Sequence, residues 1–202
     1  VGDYVWRDGR LNAGTAIFSK YPILGKFRWR YPGSWFERAA ESLIAVDIDY
    51  HGSPIRIFTA HLQSLQFNEN DYRALENIAR PGETTVRASV SILRKIKIGY
   101  KYRVNQARLV REQLDESPYP EILCGDFNDV PGSFAYSMVR GERRDAFLEK
   151  GSGIGRTFHA ISPTLRIDYI LTHPDFRIVQ FRKKEFSFTD HYPIVADIQL
   201  SR

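Results

Sequence analysis

Residues 121–133 read EILCGDFNDVPGS, and the fold and chemistry of the chain turn on them. The apolar run Ile122, Leu123, Cys124 is short enough for a buried strand, and Gly125 with the later Pro131-Gly132 pair punctuates its end as a loop. Asp126 and Asn128 leave that strand end together, one a charged acceptor and the other a carboxamide with donors and an acceptor. Two readings compete. Asp, Asn and Gly are the residues turns use, and Asp129 stands where it would cap a helix beginning near Ser133. The same residues also make an inexpensive site, because the strand fixes the backbone while the side chains face a ligand. A second stretch tips the balance toward the site. Residues 187–195, SFTDHYPIV, set Asp190 and His191 just ahead of another apolar strand.

The 202 residues, 43% of them hydrophobic, suit one domain with a sizeable core. A net charge of +5 leans toward an anionic partner such as nucleic acid or a phospholipid headgroup, though such a surplus also serves solubility alone. The single cysteine, Cys124, excludes an internal disulfide and reads as a core residue. No apolar run is long enough to cross a bilayer, and no signal-peptide pattern is present. The chain opens at Val1 and its one methionine is Met138, so an upstream segment is expected, with room there for a signal or a membrane tether.

Outward from the central loop, the chain reads as strands around one long helical stretch. Residues 14–19, GTAIFS, form a short strand stopped by Tyr21-Pro22, and residues 28–38 form a loop or irregular strand rich in Trp, Tyr and Arg, read chiefly as surface packing and secondarily as base stacking. Residues 43–50 and 55–62 alternate around His51-Gly52-Ser53-Pro54, which is a hairpin whose second strand ends near His61. Residues 68–117 are a basic helical segment. Asp71 caps a first segment, DYRALENIAR, that Pro81-Gly82 ends; after it Val86, Val90, Leu93, Ile96 and Tyr100 recur at helical spacing, and Arg87, Arg94, Lys95, Lys97, Lys101 and Arg103 form a cationic face, read chiefly as solvated and secondarily as a contact for nucleic-acid phosphates or an anionic membrane surface. A separate helix over 105–115 buries Ala107, Val110 and Leu114. Downstream, 134–139 is helical, and Gly151, Gly153 and Gly155 lack the Lys-Ser/Thr pair of a nucleotide-cradling loop. The strand within 164–171 carries Asp168, and 176–186 and 193–200 are the last two strands.

His61, Asp126, Asn128, Asp168, Asp190 and His191 are the polar residues at strand ends or inside apolar strands. Asp168 is the most informative, since a carboxylate in an apolar strand is costly unless paired. His191 is its natural partner and Arg166 the alternative. A His191–Asp168 dyad fixes the tautomer and raises the basicity of the imidazole, as general-base chemistry needs. Asp190 suits a hard divalent cation such as Mg2+. The set fits hydrolysis of a phosphoester, with a metal to neutralise charge and a base to prepare water.

In order, GTAIFSKYP, TAHLQS, EILCGDFNDVPGS, RIDYIL and SFTDHYPIV resemble the successive motifs of the endonuclease/exonuclease/phosphatase superfamily, which includes deoxyribonuclease I, abasic-site endonucleases, deadenylases, sphingomyelinases and inositol-polyphosphate 5-phosphatases. The resemblance covers almost the whole chain and is weakest over the basic helical segment. It implies an α+β fold, a two-layer β-sandwich flanked by helices, in a single partial domain over 1–202. It implies that His191, oriented by Asp168, is the base or transition-state partner. Asp126 and Asn128 position the nucleophile and the scissile phosphate, Asp190 serves Mg2+ or Mn2+, and His61 contacts the phosphate or assists the leaving group. His61 aligns the site with deoxyribonucleases, deadenylases and sphingomyelinases. Thr189 stands where serine is common. Family members also open with a strand bearing an asparagine and a Leu-Gln-Glu segment whose glutamate is the principal metal ligand, and neither precedes residue 14 here. The resemblance therefore implies missing N-terminal strands and, for this stretch alone, weak metal binding and little activity. It implies a monomeric phosphoesterase, with nucleic acid ahead of phospholipid or inositol phosphate as substrate. The rival reading is a binding module that keeps the fold without catalysis.

Overall fold

The hairpin forms where expected because its turn uses backbone that few residues tolerate. His51 and Gly52 both take positive φ, 54° and 84°, as a two-residue hairpin turn requires. From it β4 (Ser42–Tyr50) and β5 (Ser53–His61) run back antiparallel. The computed structural model describes residues 1–7, 10–32, 42–65, 71, 86–159 and 165–201. Before the hairpin lie β1 (Gly2–Arg7), β2 (Arg10–Ala16) and β3 (Ile23–Arg30). After it come α1 (Val86–Asp115), β6 (Glu121–Asp126), α2 (Phe134–Arg140), β7 (Arg144–Asp145), α3 (Ala146–Lys150), β8 (Asp168–Thr172), β9 (Phe176–Lys183) and β10 (Ile194–Leu200).

Six strands form one sheet in the order β3-β4-β5-β6-β8-β7, with β5 and β6 parallel and the other neighbours antiparallel. A parallel pair needs a crossover, and α1 lies within it. Alternation along the strands sorts the apolar residues onto two faces. Leu43, Ala45, Phe58, Leu123 and Leu171 pack against Ala107, Val110 and Leu114 of α1 and Ala135 and Val139 of α2. Ile44, Val46, Ile55 and Ile122 look the other way, onto Ile17, Phe176 and Ile198, while Cys124 and Ile170 meet Ile178, Phe181 and Ala196. The β1–β2 and β9–β10 ribbons thus supply the second layer, as separate two-stranded sheets among the described residues. The result is the expected α+β sandwich, with α1 and α2 on the outer face of the six-stranded sheet and α3 packed against β8 and β9. Cys124 is a core residue whose thiol burial pushes up to about 11, well away from nucleophilic use.

Four local expectations need correction. The helical segment holds one helix over Val86–Asp115 in place of two, and its 72–85 portion lies outside the described residues. The stripe of Val90, Leu93, Ile96 and Tyr100 faces outward, while Ile92, Gln106, Ala107, Val110 and Leu114 form the buried line. Helical spacing identifies stripes, and tertiary packing chooses among them. Arg103, assigned to the cationic face, is 4% exposed and turned inward. Residues 28–30 belong to β3, where Trp29 stacks on Phe27 and Phe58, and 33–41 lie outside the described residues.

Candidate active site

Three neighbouring strands stop at the same level. His61 ends β5, Asp126 ends β6 and Asp168 opens β8, and strand register sets His61 opposite Asp126 and Asp126 opposite Asp168. Period-two alternation puts all three on the face that carries Ile57, Cys124 and Ile170, toward the ribbon layer. Gly125 makes the convergence feasible. A Cβ there would fall onto the Ala60 carbonyl oxygen, so only glycine lets β6 close on β5 at this level.

His191 arrives from the loop before β10, held by a strap at 157–159. Phe158 bridges His191, Tyr192 N–H donates to the Thr157 carbonyl (2.7 Å), and His159 N–H donates to the Asp190 carbonyl (3.1 Å). The buried Thr157 hydroxyl also accepts from the backbone N–H groups of Ile167 (3.0 Å) and Asp168 (3.1 Å). One threonine thereby holds the carboxylate and the imidazole in a single frame. Sequence reading missed it, because a threonine in a glycine-rich stretch carries no signal until the strap has folded.

With the proton on Nδ1, His191 donates to Asp168 Oδ2 at 3.0 Å, which makes the expected dyad. Arg166, the rival partner, binds Asp145 at 2.7 Å instead. His191 Nε2 lies 4.0 Å from Asp126 Oδ2, and His61 Nε2 lies 3.8 Å from the same oxygen. Asn128, with φ of 49°, folds back over Asp126 in a conformation Asn tolerates better than most residues. Its backbone N–H donates to Asp126 Oδ1 (2.7 Å), and its Nδ2 donates to Asp126 Oδ2 (3.2 Å) and to the Leu62 carbonyl (2.9 Å). The turn of 121–133 and the gathering of its polar side chains at one strand end therefore involve the same atoms. Asp129 does not cap α2. Ser133 does, accepting from Tyr136 N–H, and Asp129 pairs with Arg103 at 2.9 Å. Arg103 also donates to the Gln63 carbonyl (3.1 Å), and Gln106 Oε1 accepts from Gln63 N–H (2.7 Å). Helix α1 thus clasps both loops that carry site residues.

Burial, then the charge of Asp168, pushes Asp126 up to about 7, against the opposing pull of the Asn128 N–H and His191. Burial, then His191, lowers His61. The hydrogen bond to Asp168 raises His191, with the charges of Asp168, Asp126 and Asp190 adding to it against burial. Two imidazoles in one site are thus driven apart in proton affinity, the arrangement that separates acid–base roles. Among the described residues neither Asp126 nor Asp168 pairs with a lysine or arginine. Under-neutralised carboxylates of this kind fit a divalent cation, and Asp126, Asp168 and His191 offer ligand atoms all within 4.8 Å of one another. Asp190 is exposed and outside that group, though its charge reaches Asp126 and His191.

A sandwich whose rim joins a carboxylate–imidazole dyad to cation-seeking acids defines a hydrolase of the phosphoester kind. The chain belongs to the Endonuclease/Exonuclease/phosphatase family, whose profile matches residues 2–191. Among solved structures it is similar to an endonuclease/exonuclease/phosphatase from Bacteroides vulgatus, with TM-score 0.65 and 19% identity over 99% of this chain and 76% of that one. It is also similar to a mannosyl-6-phosphatase from Bacteroides thetaiotaomicron, with TM-score 0.54 and 17% identity over 89% of this chain and 67% of that one. A humanized D. rerio TDP2 gives TM-score 0.57 and 16% identity over 88% and 67%. At these identities the likeness concerns the fold. A search of curated proteins finds no match.

Proposed function

We propose that the protein is a Mg2+- or Mn2+-dependent phosphodiesterase, with nucleic acid ahead of phospholipid and inositol phosphate as substrate. The observation that carries this reading is the orientation of His191, with Nδ1 committed to Asp168 at 3.0 Å and Nε2 turned toward Asp126. His191 accepts the proton of the attacking water at Nε2, and Asp168 stabilises the imidazolium that results. His61, whose proton affinity burial lowers, is neutral near pH 7 and suited to donate a hydrogen bond to the phosphate or the departing oxygen. Asn128 holds the Asp126 carboxylate in place through its backbone N–H and Nδ2. His191 cannot both bind a metal and take a proton at Nε2, and its raised proton affinity supports the second role. Asp126 and Asp190 are then the carboxylates that would hold the cation, which supplies neutralisation of phosphate charge. The name of the mannosyl-6-phosphatase relative supports a second reading, a phosphomonoesterase.

The full-length protein should be assayed with Mg2+ on plasmid DNA, RNA, sphingomyelin, inositol phosphates and a sugar phosphate. Cleavage of nucleic acid that chelation abolishes is the expected result. Release of inorganic phosphate from the sugar phosphate, with both nucleic acids intact, would replace the diesterase reading with the monoesterase one.

A further inference from the structure

The loop that delivers His191 carries two aromatic side chains that the chemistry above does not use. Phe186 and Phe188 stack with ring centroids 5.1 Å apart, yet Phe188 is 83% exposed and Phe186 40%. Apolar rings held outward beside a charged site mark a surface built to be covered. Phe188 is three residues from the catalytic imidazole, a reach of at most about 10 Å of chain.

Lys183, the last residue of β9 before this loop, lines a cleft of about 560 Å³. Phe147 and Phe181, edge to face at 5.6 Å, are part of its lining, and Lys150, Arg156 and Lys183 bring three cations to it with no acid among the lining residues. Gly151 and Gly155 keep one wall bare backbone, since a Cβ at either would strike the Phe147 ring. Lys183 pairs at 3.0 Å with Glu185, but that carboxylate is 62% exposed and salt screens such a pair. Arg156 and Lys183 also sit over the ring of Tyr192, at 5.4 and 4.7 Å, and Tyr192 directly follows His191. The cleft therefore abuts the segment that holds the base.

We infer that a single-stranded nucleic acid binds across the Phe186–Phe188 platform, its phosphates running into the cleft of Lys150, Arg156 and Lys183. Exposed aromatic faces alternating with cations in a groove are the means by which proteins hold a strand without reading its sequence. A bilayer surface is the weaker fit, because Lys150, Arg156 and Lys183 line a recess. The inference rests on the diesterase reading and names the substrate form that the site takes.

Binding of a fluorescent oligothymidylate, followed by anisotropy over a range of salt concentrations, tests it without any turnover. Phe188→Ala should weaken binding about 10-fold while leaving the salt dependence intact, and Phe188→Trp should retain it. Replacing Lys150, Arg156 and Lys183 together by alanine should flatten the slope of log affinity against log salt by about 0.7 per lost phosphate contact. Wild-type affinity in both the Phe188→Ala and the triple variant overturns the inference. So does loss of phosphatidylserine-vesicle binding in Phe188→Ala with oligonucleotide binding unaltered. Hydrolysis of a small chromogenic diester reads the catalytic reading separately, so a protein that cleaves the diester and ignores the strand sinks only the inference.

Discussion

His191 and Asp126 share a site, and their proton equilibria pull on the molecule in ways that can be measured. Asp126 releases its proton near 3.8 when unfolded and near 7 in the fold. Between those values the folded state binds more protons, so the contribution of this residue is present at low pH and lost as pH climbs through about 7. Asp126→Asn removes that loss. Its stability relative to wild type should therefore rise from pH 4 to pH 8 in urea melts, and the same difference at both ends would refute the assignment. The His191 bond to Asp168 has the same sign. Its stabilisation is complete below 6.5 and is lost as pH rises through the elevated value. For catalysis, Asp168→Asn should lower turnover by about 10² to 10⁴ and shift the acidic limb of the rate profile downward. A limb that stays put would show that Asp168 does not tune the base. This pair was legible in the sequence because an acid in an apolar strand demands a partner. Thr157 was not, since its two backbone bonds exist only after the strap and β8 have met.

Elements bring these residues to one place, and two substitutions test how. Gly125→Ala puts a methyl against the Ala60 carbonyl between paired strands, and should cost about 1–3 kcal/mol in thermal or urea unfolding. Gly132→Ala, at a position with open space around its would-be Cβ, is the control and should cost far less. Equal costs would contradict the close approach of β5 and β6. Arg103→Ala leaves the Asp129 carboxylate without its partner and should destabilise by about 3–5 kcal/mol, with Asp129→Ala added to it restoring part of the loss. An Arg103→Ala protein as stable as wild type would return this residue to the exposed face that composition suggested. The misreading has a physical source. Arginine with a buried acceptor and arginine in water look alike in a helical repeat, and the loop carbonyl and carboxylate that draw Arg103 inward come from residues far away in the chain.

At the scale of the molecule, two stacked β-layers meet at a rim, and the rim carries the candidate site. Strand alternation and the hairpin were readable from local pattern, whereas the helix-flanked α+β class came from the family resemblance. The strand order was not readable, because nothing local states that β8 inserts beside β6, and that insertion is what sets Asp168 across from Asp126. The loop between β9 and β10 carries the exposed Phe186 and Phe188 and leads into His191. The central claim is that the rim hydrolyses a phosphodiester through His191. The most direct test is the rate at which the full-length protein, with Mg2+ or Mn2+, cleaves bis(4-nitrophenyl) phosphate before and after His191→Ala. The account predicts turnover that chelation removes and that the substitution lowers by about 10² to 10⁴ with folding intact. An equal rate in the two proteins, or no turnover above background in the wild type, would contradict it.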